Sequence, residues 1–152
     1  MLTVEYDERL RVPLRWWVQG TMFVASLWLA VVVALPFAAA WAVSGVAMLL
    51  LAAGLLSFGS ARVSVQDGVF RAGRASIPVV HLGTATALDR EETRRVAGAE
   101  ADARAYLLLR PYLKQAVKVE NTDPADPAPY WLVNTRRPDQ LAAALASAHS
   151  AA

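Results

Sequence analysis

Between Arg15 and Arg62 lie 46 residues, Trp16 to Ala61, without one charged side chain. A helix rises about 1.5 Å per residue and a bilayer's hydrocarbon core is about 30 Å thick, so one crossing takes about 20 apolar residues. As a single helix the stretch would run roughly 69 Å, more than twice that thickness. Pro36 sits near its middle, and proline removes a backbone donor and clashes with the preceding turn, which predicts a break there. The expectation is a transmembrane helical hairpin over 16–61, with spans near 17–35 and 40–59 and an apolar tip from Pro36 to Ala39. Trp16, Trp17 and Trp41 fall where interfacial aromatic belts lie. A re-entrant hairpin competes with this reading, but two spans of about 19 residues are long enough to cross. A cleaved secretory signal ending at Ala38-Ala39-Ala40 also competes. Its apolar core would be too long and its leader, residues 1–15, is neutral rather than basic.

Basic residues close to the spans set orientation. Arg9, Arg11 and Arg15 precede the first span, none lies between the two, and Arg62, Arg71 and Arg74 follow the second. Both termini are therefore expected on the cytoplasmic side of the cell membrane. Small residues recur at four-residue spacing (Ala30, Ala34 and Ala38, then Ala40 and Ser44, with Gly45 and Gly54 nearby), which suits close helix packing within the hairpin, in a homo-oligomer or against a membrane partner.

The remainder reads as one small β-rich domain over 62–149 with a tail at 150–152. Thr3 to Tyr6 in the polar lead is a candidate extended segment. Arg62–Gln66 alternates apolar and polar, Asp67-Gly68 is a hairpin turn, and Val69–Ala72 follows. Gly73-Arg74 turns again, and Ile77–Ala87 reads as one long or bent strand. Asp89 with Glu92 three residues later starts a short helix ending near Gly98. Ala105–Arg110, Ala116–Asn121 and Tyr130–Thr135 are further strands. Pro138 at a first helical position, with Leu141, Leu145 and Ala148 on one face, opens a closing helix of about ten residues. The fold class is thus an α+β membrane protein: a two-helix hairpin, then a small antiparallel barrel or sandwich closed by a C-terminal helix.

Several chemistries are excluded. There is no cysteine, so disulfides, thiolate metal sites and cysteine nucleophiles are absent. A net charge of +2 argues against nucleic acid as a partner. His81 and His149 have no second ligand at metal-binding spacing, and no phosphate loop or nucleophile elbow is present. No catalytic, metal-binding or cofactor-binding residue is assigned. Glu120, Asp123 and Asp126 lie in a loop stiffened by Pro124, Pro127 and Pro129, and their carboxylates suit local backbone bonds better than calcium.

Two sets of residues remain as candidate contacts. Arg62, Arg71 and Arg74 follow the membrane stretch without a linker, within reach of anionic lipid headgroups. Tyr130 and Trp131 supply large apolar area, and Arg136 and Arg137 suit a phosphate or a partner's carboxylate. The competing reading makes the aromatics core and the arginines solvated turn residues.

Two motifs carry a family resemblance. Tyr6-Asp7-Glu8-Arg9-Leu10 with Trp16-Trp17, and the run from Asp123 to Pro138 (DPADPAPYWLVNTRRP), resemble an uncharacterised alanine-rich membrane protein family of Actinobacteria, a domain-of-unknown-function family. The likeness covers almost the whole chain and implies no activity. The strand pattern after the hairpin is also similar to bacterial pleckstrin-homology-like domains, in which a helix follows a final strand as Thr135-Arg136-Arg137-Pro138 does here. The functional expectation is a membrane-anchored, non-catalytic binding or scaffold module. An accessory subunit packing through its hairpin into a larger membrane complex is the alternative.

Overall fold

The computed structural model describes residues 4–151. The chain divides into two compact units, residues 11–60 and a unit made of 1–10 with 61–152. Thr3 and the termini Met1 and Ala152, on which the topology expectation rests, lie outside the described residues.

The first unit is two apolar helices, α1 (Leu14–Ala34) and α2 (Phe37–Phe58), of 21 and 22 residues. Each starts earlier than the sequence suggested, because Pro13 and Pro36 act as N-caps with extended backbone. Proline has the right φ and no N–H to waste at such a position. Phe37 to Ala39, expected at the tip, are therefore the first turn of α2, and only Leu35-Pro36 connects the helices. Gly20 sets their approach: a Cβ there would lie 2.7 Å from a Leu51 methyl. Trp41 packs against Trp28, with ring centroids 5.4 Å apart, and edge-on against Phe37 at 6.1 Å. On α2 only Ala40 and Ser44 are buried, and on α1 none is.

The second unit holds two four-stranded sheets. The first has the order β1-β2-β3-β4, from β1 (Val4–Arg9), β2 (Arg62–Gln66), β3 (Val69–Ala72) and β4 (Ala75–Pro78), all antiparallel. The Asp67-Gly68 turn joins β2 to β3 with positive φ at both residues, the conformation that matches the twist of a tight hairpin. The second sheet has the order β5-β7-β8-β6, from β5 (Leu82–Leu88), β6 (Tyr106–Leu108), β7 (Ala116–Asn121) and β8 (Tyr130–Asn134).

Three expectations are corrected. The stretch Ile77–Ala87 is not one strand: Pro78 ends β4, a single 3-10 turn over Val79–His81 follows, and β5 belongs to the other sheet. Of the barrel and the sandwich that the sequence left open, the described residues show two four-stranded sheets, and their pairing is not all antiparallel: β6 runs parallel to β8. The polar lead contributes β1, an integral strand of the first sheet.

The sheets meet through their inner faces. Tyr6, Val65, Phe70 and Ile77 form one inward row across β1 to β4. Phe70 lies 5.7 Å from Trp131 of β8, which lies 4.7 Å from Tyr106, whose hydroxyl donates to the Ala72 carbonyl at 2.8 Å. Burying each large apolar side chain of this core contributes roughly 1.5–3 kcal/mol. A short helix, α3 (Arg90–Ala97), covers the outer face of the second sheet through Val96, which clusters with Leu88, Ala116, Tyr130 and Leu132. Its Asp89–Glu92 capping box forms in full. The last helix, α4 (Pro138–Ala151), buries Leu141, Leu145 and Ala148 and packs chiefly on β5 and β1.

Candidate functional site

Strand alternation places Tyr6 and Glu8 on the inner face of β1, with Leu10 in the same phase just past its end, and all three are buried. A glutamate on the inner face of a sheet must have its charge answered by hydrogen bonds. Here the answer comes from the turn between β8 and α4. Thr135 Oγ1 donates to Glu8 Oε2 at 2.5 Å, and Tyr6 Oη donates to the same oxygen at 2.7 Å. The Arg136 backbone N–H donates to Oε1 at 3.0 Å, with the Arg136 guanidinium 3.9 Å from it. Tyr6 Oη and Thr135 Oγ1 are themselves 2.8 Å apart, and Thr135 Oγ1 accepts the Arg137 N–H at 3.0 Å. Burial is the main cause that pushes the Tyr6 phenol up to about 12, so it stays a neutral donor through the physiological range.

The flanking charges extend this clasp. Arg137 lies over the Tyr6 ring, 5.1 Å from its centroid, and donates to the Asp7 carbonyl at 3.1 Å. On the outer face of β1, Asp7 receives both arms of Arg62, and that hydrogen-bonded guanidinium holds its carboxyl below the usual range. Farther along, Tyr112 Oη donates to the Leu10 carbonyl, and burial raises its phenol too. Thr135 is 1% exposed, so its hydroxyl meets no substrate; the cluster has the geometry of a fastener, not of a nucleophile.

The clasp holds the point where the helical unit enters and leaves the β unit. Arg9 pairs with Arg62, and the Leu10 N–H donates to the Ala61 carbonyl at 2.9 Å. Residues 11–60 thus occupy the place of the turn in an antiparallel β1–β2 hairpin.

The sequence candidates fall out as follows. Arg136 and Arg137 are engaged by β1, through the Arg9 and Asp7 carbonyls as well as Glu8. Tyr130 and Trp131, candidates for a partner, are enclosed: Trp131 is 4% exposed, and Tyr130 accepts the Asp102 N–H at 3.0 Å beneath Lys118. Arg62 and Arg71 share the outer face of the first sheet with Arg9, while Arg74 is in the next turn; Arg71 and Arg74 are exposed. In the acidic loop, Asp123 accepts the Ala125 N–H and Asp126 the Ala128 N–H, with Asn121 bridging to Asp126 at 2.8 Å, as a structural loop requires. Among the described residues no group of acids and histidines is placed to hold a metal ion.

Sequence reasoning missed Tyr6, Glu8 and Thr135. Their signal was the period-two placement of Tyr6, Glu8 and Leu10, an acid in phase with two core residues. The two motifs that carried the family resemblance are the two segments joined by this clasp.

The arrangement defines a class: an apolar two-helix unit set into the first hairpin of a two-sheet β unit. The chain matches the family described as a protein of unknown function (DUF3093) over residues 5–145, and it belongs to that family. No curated protein and no solved structure matches it.

Proposed function

We propose that the protein is a membrane-anchored, non-catalytic binding or scaffold module, its helices crossing the cell membrane twice and its β unit held at the cytoplasmic face. The observation that carries this reading is the Arg9–Arg62 pair with the Leu10–Ala61 hydrogen bond. Strands adjacent in one sheet must lie on one side of a bilayer, so the helices between them must cross an even number of times. At roughly 31 and 33 Å, each helix has the length of one crossing. Their candidate spans are 0% and 11% buried within the chain, unlike the core helices of a water-soluble domain. Arginines flanking the helices and none between them favour cytoplasmic termini. Two sheets followed by a C-terminal helix are also the layout of pleckstrin-homology-like domains, a likeness of architecture that transfers no ligand. The outer face of the first sheet, with Arg9, Arg62 and Arg71 against Asp7, suits an anionic headgroup surface. The test is a photo-crosslinking residue at Arg71 in native membranes: capture of lipid or of a recurrent protein supports the module, and a protein extracted by carbonate without lipid sinks it.

A second reading, an accessory subunit docking through its helices, is favoured by a groove of about 330 Å³ between α1 and α2. Trp28, Trp41, Ser44 and Gly45 are among its lining residues, and the Trp28 indole N–H and Ser44 hydroxyl have no hydrogen-bond partner. A crosslinker at Gly45 that captures one membrane protein, with none captured from Arg71, would select this reading.

A further inference from the structure

Every segment of the β unit that meets the Leu10–Ala61 pair brings a cation with it. Arg9 and Arg62 are opposed in register. The Gly73 N–H donates to the Arg62 carbonyl at 2.9 Å, which holds the turn carrying Arg74 at the same end of the first sheet. From the second sheet, the Tyr112 hydroxyl on the Leu10 carbonyl fixes the turn that runs from Arg110 to Lys114. The Thr135 N–H donates to the Gln115 carbonyl at 3.1 Å, so Arg136, which also reaches the Arg9 carbonyl, sits against that turn. All of these cations are exposed except Arg110, which is half-buried. Asp7 and Glu8, the acids nearest to Arg9 in sequence, are already engaged by Arg62 and by the clasp. Asp89, Glu91, Glu92 and Asp139, near this end by register, lie at the starts of α3 and α4, where helix N-termini answer negative charge.

The opposite end of the same strands is acidic. Asp67 follows the last residue of β2, and Glu120, Asp123 and Asp126 lie at and beyond the end of β7. The Val79 N–H on the Gly68 carbonyl at 2.8 Å and the Thr122 N–H on the His81 carbonyl at 2.7 Å tie both acidic turns to one 3-10 turn. Basic and acidic residues are equal in number across the β unit, so its separation of charge, not its total, can orient it. We propose that the cationic end is a docking site for anionic phospholipid headgroups, which seats the β unit on the membrane with its acidic turns pointing away. The inference rests on the two-crossing reading above. Charge selects an anionic occupant, and the tether selects a lipid one. α1 begins four residues after Leu10 and α2 ends three residues before Ala61. Fully extended, those links span at most about 14 and 10 Å. Basic residues that close to an anionic leaflet are attracted to it, and salt screens the attraction.

The chain has no cysteine, so one introduced thiol carries one fluorophore. Full-length Gln115→Cys and Ala125→Cys, both at exposed positions and beyond opposite ends of β7, are labelled and reconstituted into equimolar phosphatidylcholine–phosphatidylglycerol vesicles. One lipid or the other carries a quenching spin label near its headgroup. At residue 115, labelled phosphatidylglycerol should quench at least about threefold more than labelled phosphatidylcholine at low salt, and the two should converge at high salt. At residue 125 neither lipid should quench. Arg74→Gln with Lys114→Gln should reduce the preference at residue 115 by about half, and Arg90→Gln with Arg94→Gln on α3 should leave it unchanged. Insertion is read separately, as retention in the vesicles after a carbonate wash. A chain that washes off overturns the two-crossing reading and this inference with it. A retained chain that is quenched equally by the two lipids at residue 115, keeps its preference without Arg74 and Lys114, or is quenched as strongly at residue 125, overturns this inference alone.

Discussion

Glu8 and Thr135 are separated by 127 residues in sequence and joined by a 2.5 Å hydrogen bond. That bond ties the strand entering the helical unit to the turn that starts the last helix. Glu8→Ala should leave the Tyr6 and Thr135 hydroxyls with only each other to donate to and the Arg136 N–H without its acceptor, lowering stability by about 3 kcal/mol. Thr135→Val should cost about 2 kcal/mol, and Thr135→Ser, which keeps the donor, under about 1 kcal/mol. Denaturant unfolding followed by tryptophan fluorescence measures all three, and equal losses for the Val and Ser variants would remove the hydroxyl from the account.

Alkaline pH should open the same clasp. The Tyr6 phenol is pushed up from 10.0 to about 12 in the folded chain. A raised value means its contribution is fully present below pH 10 and lost as pH climbs through 12, amounting to roughly 2–3 kcal/mol. Tyr6→Phe should flatten that part of the stability profile. In acid the sign reverses for Asp7, whose lowered value gives stability present above the ordinary carboxylate range and lost as pH falls. Asp7→Asn should remove that acid-side slope, a small one because the Arg62 pair is solvent-exposed.

The acidic loop should be indifferent to metal. Asp123→Asn with Asp126→Asn should leave calcium and magnesium without effect on the melting temperature, as in the parent chain. Asp126→Ala, which removes the acceptor of the Asn121 amide and of the Ala128 N–H, should cost about 1 kcal/mol. A calcium-dependent rise in melting temperature that the double change abolishes would assign the loop to metal binding.

The sequence displayed elements whose causes are local. The Asp89–Glu92 box, the Asp67-Gly68 turn, Pro138 opening α4 and Gly98 ending α3 each follow from a few neighbouring residues. Elements decided by distant partners stayed hidden. β1 reads as a polar lead because its inner face carries Glu8, a charge whose partners, Tyr6 apart, come from Thr135 and Arg136. The break after Pro78 is invisible because Val79-Val80 continue the apolar run while the backbone changes sheets. Parallel pairing of β6 on β8 depends on the crossover through β7 and leaves no local mark. Nothing local marked Arg62, Arg136 and Arg137 as partners of β1, because Asp7, Glu8 and the Arg9 carbonyl that they meet lie 55 or more residues away.

Topology gives a further expectation: reporters that fluoresce only in the cytoplasm should be active at both ends of the chain, and reporters active only outside should be silent. Opposite results at the two ends would mean an odd number of crossings, which the β1–β2 pairing forbids.

The central claim is that the helical unit replaces the turn of a β-hairpin that the β unit needs. The direct measurement replaces Arg11–Ser60 with Asn-Gly, a pair suited to a two-residue hairpin turn between the hydrogen-bonded Leu10 and Ala61. This chain is predicted to be soluble without detergent and to unfold cooperatively, while a chain of residues 61–152 alone, lacking β1 and Glu8, is not. Equal, cooperative stability of the two chains, or failure of the Asn-Gly chain to fold, would contradict the account.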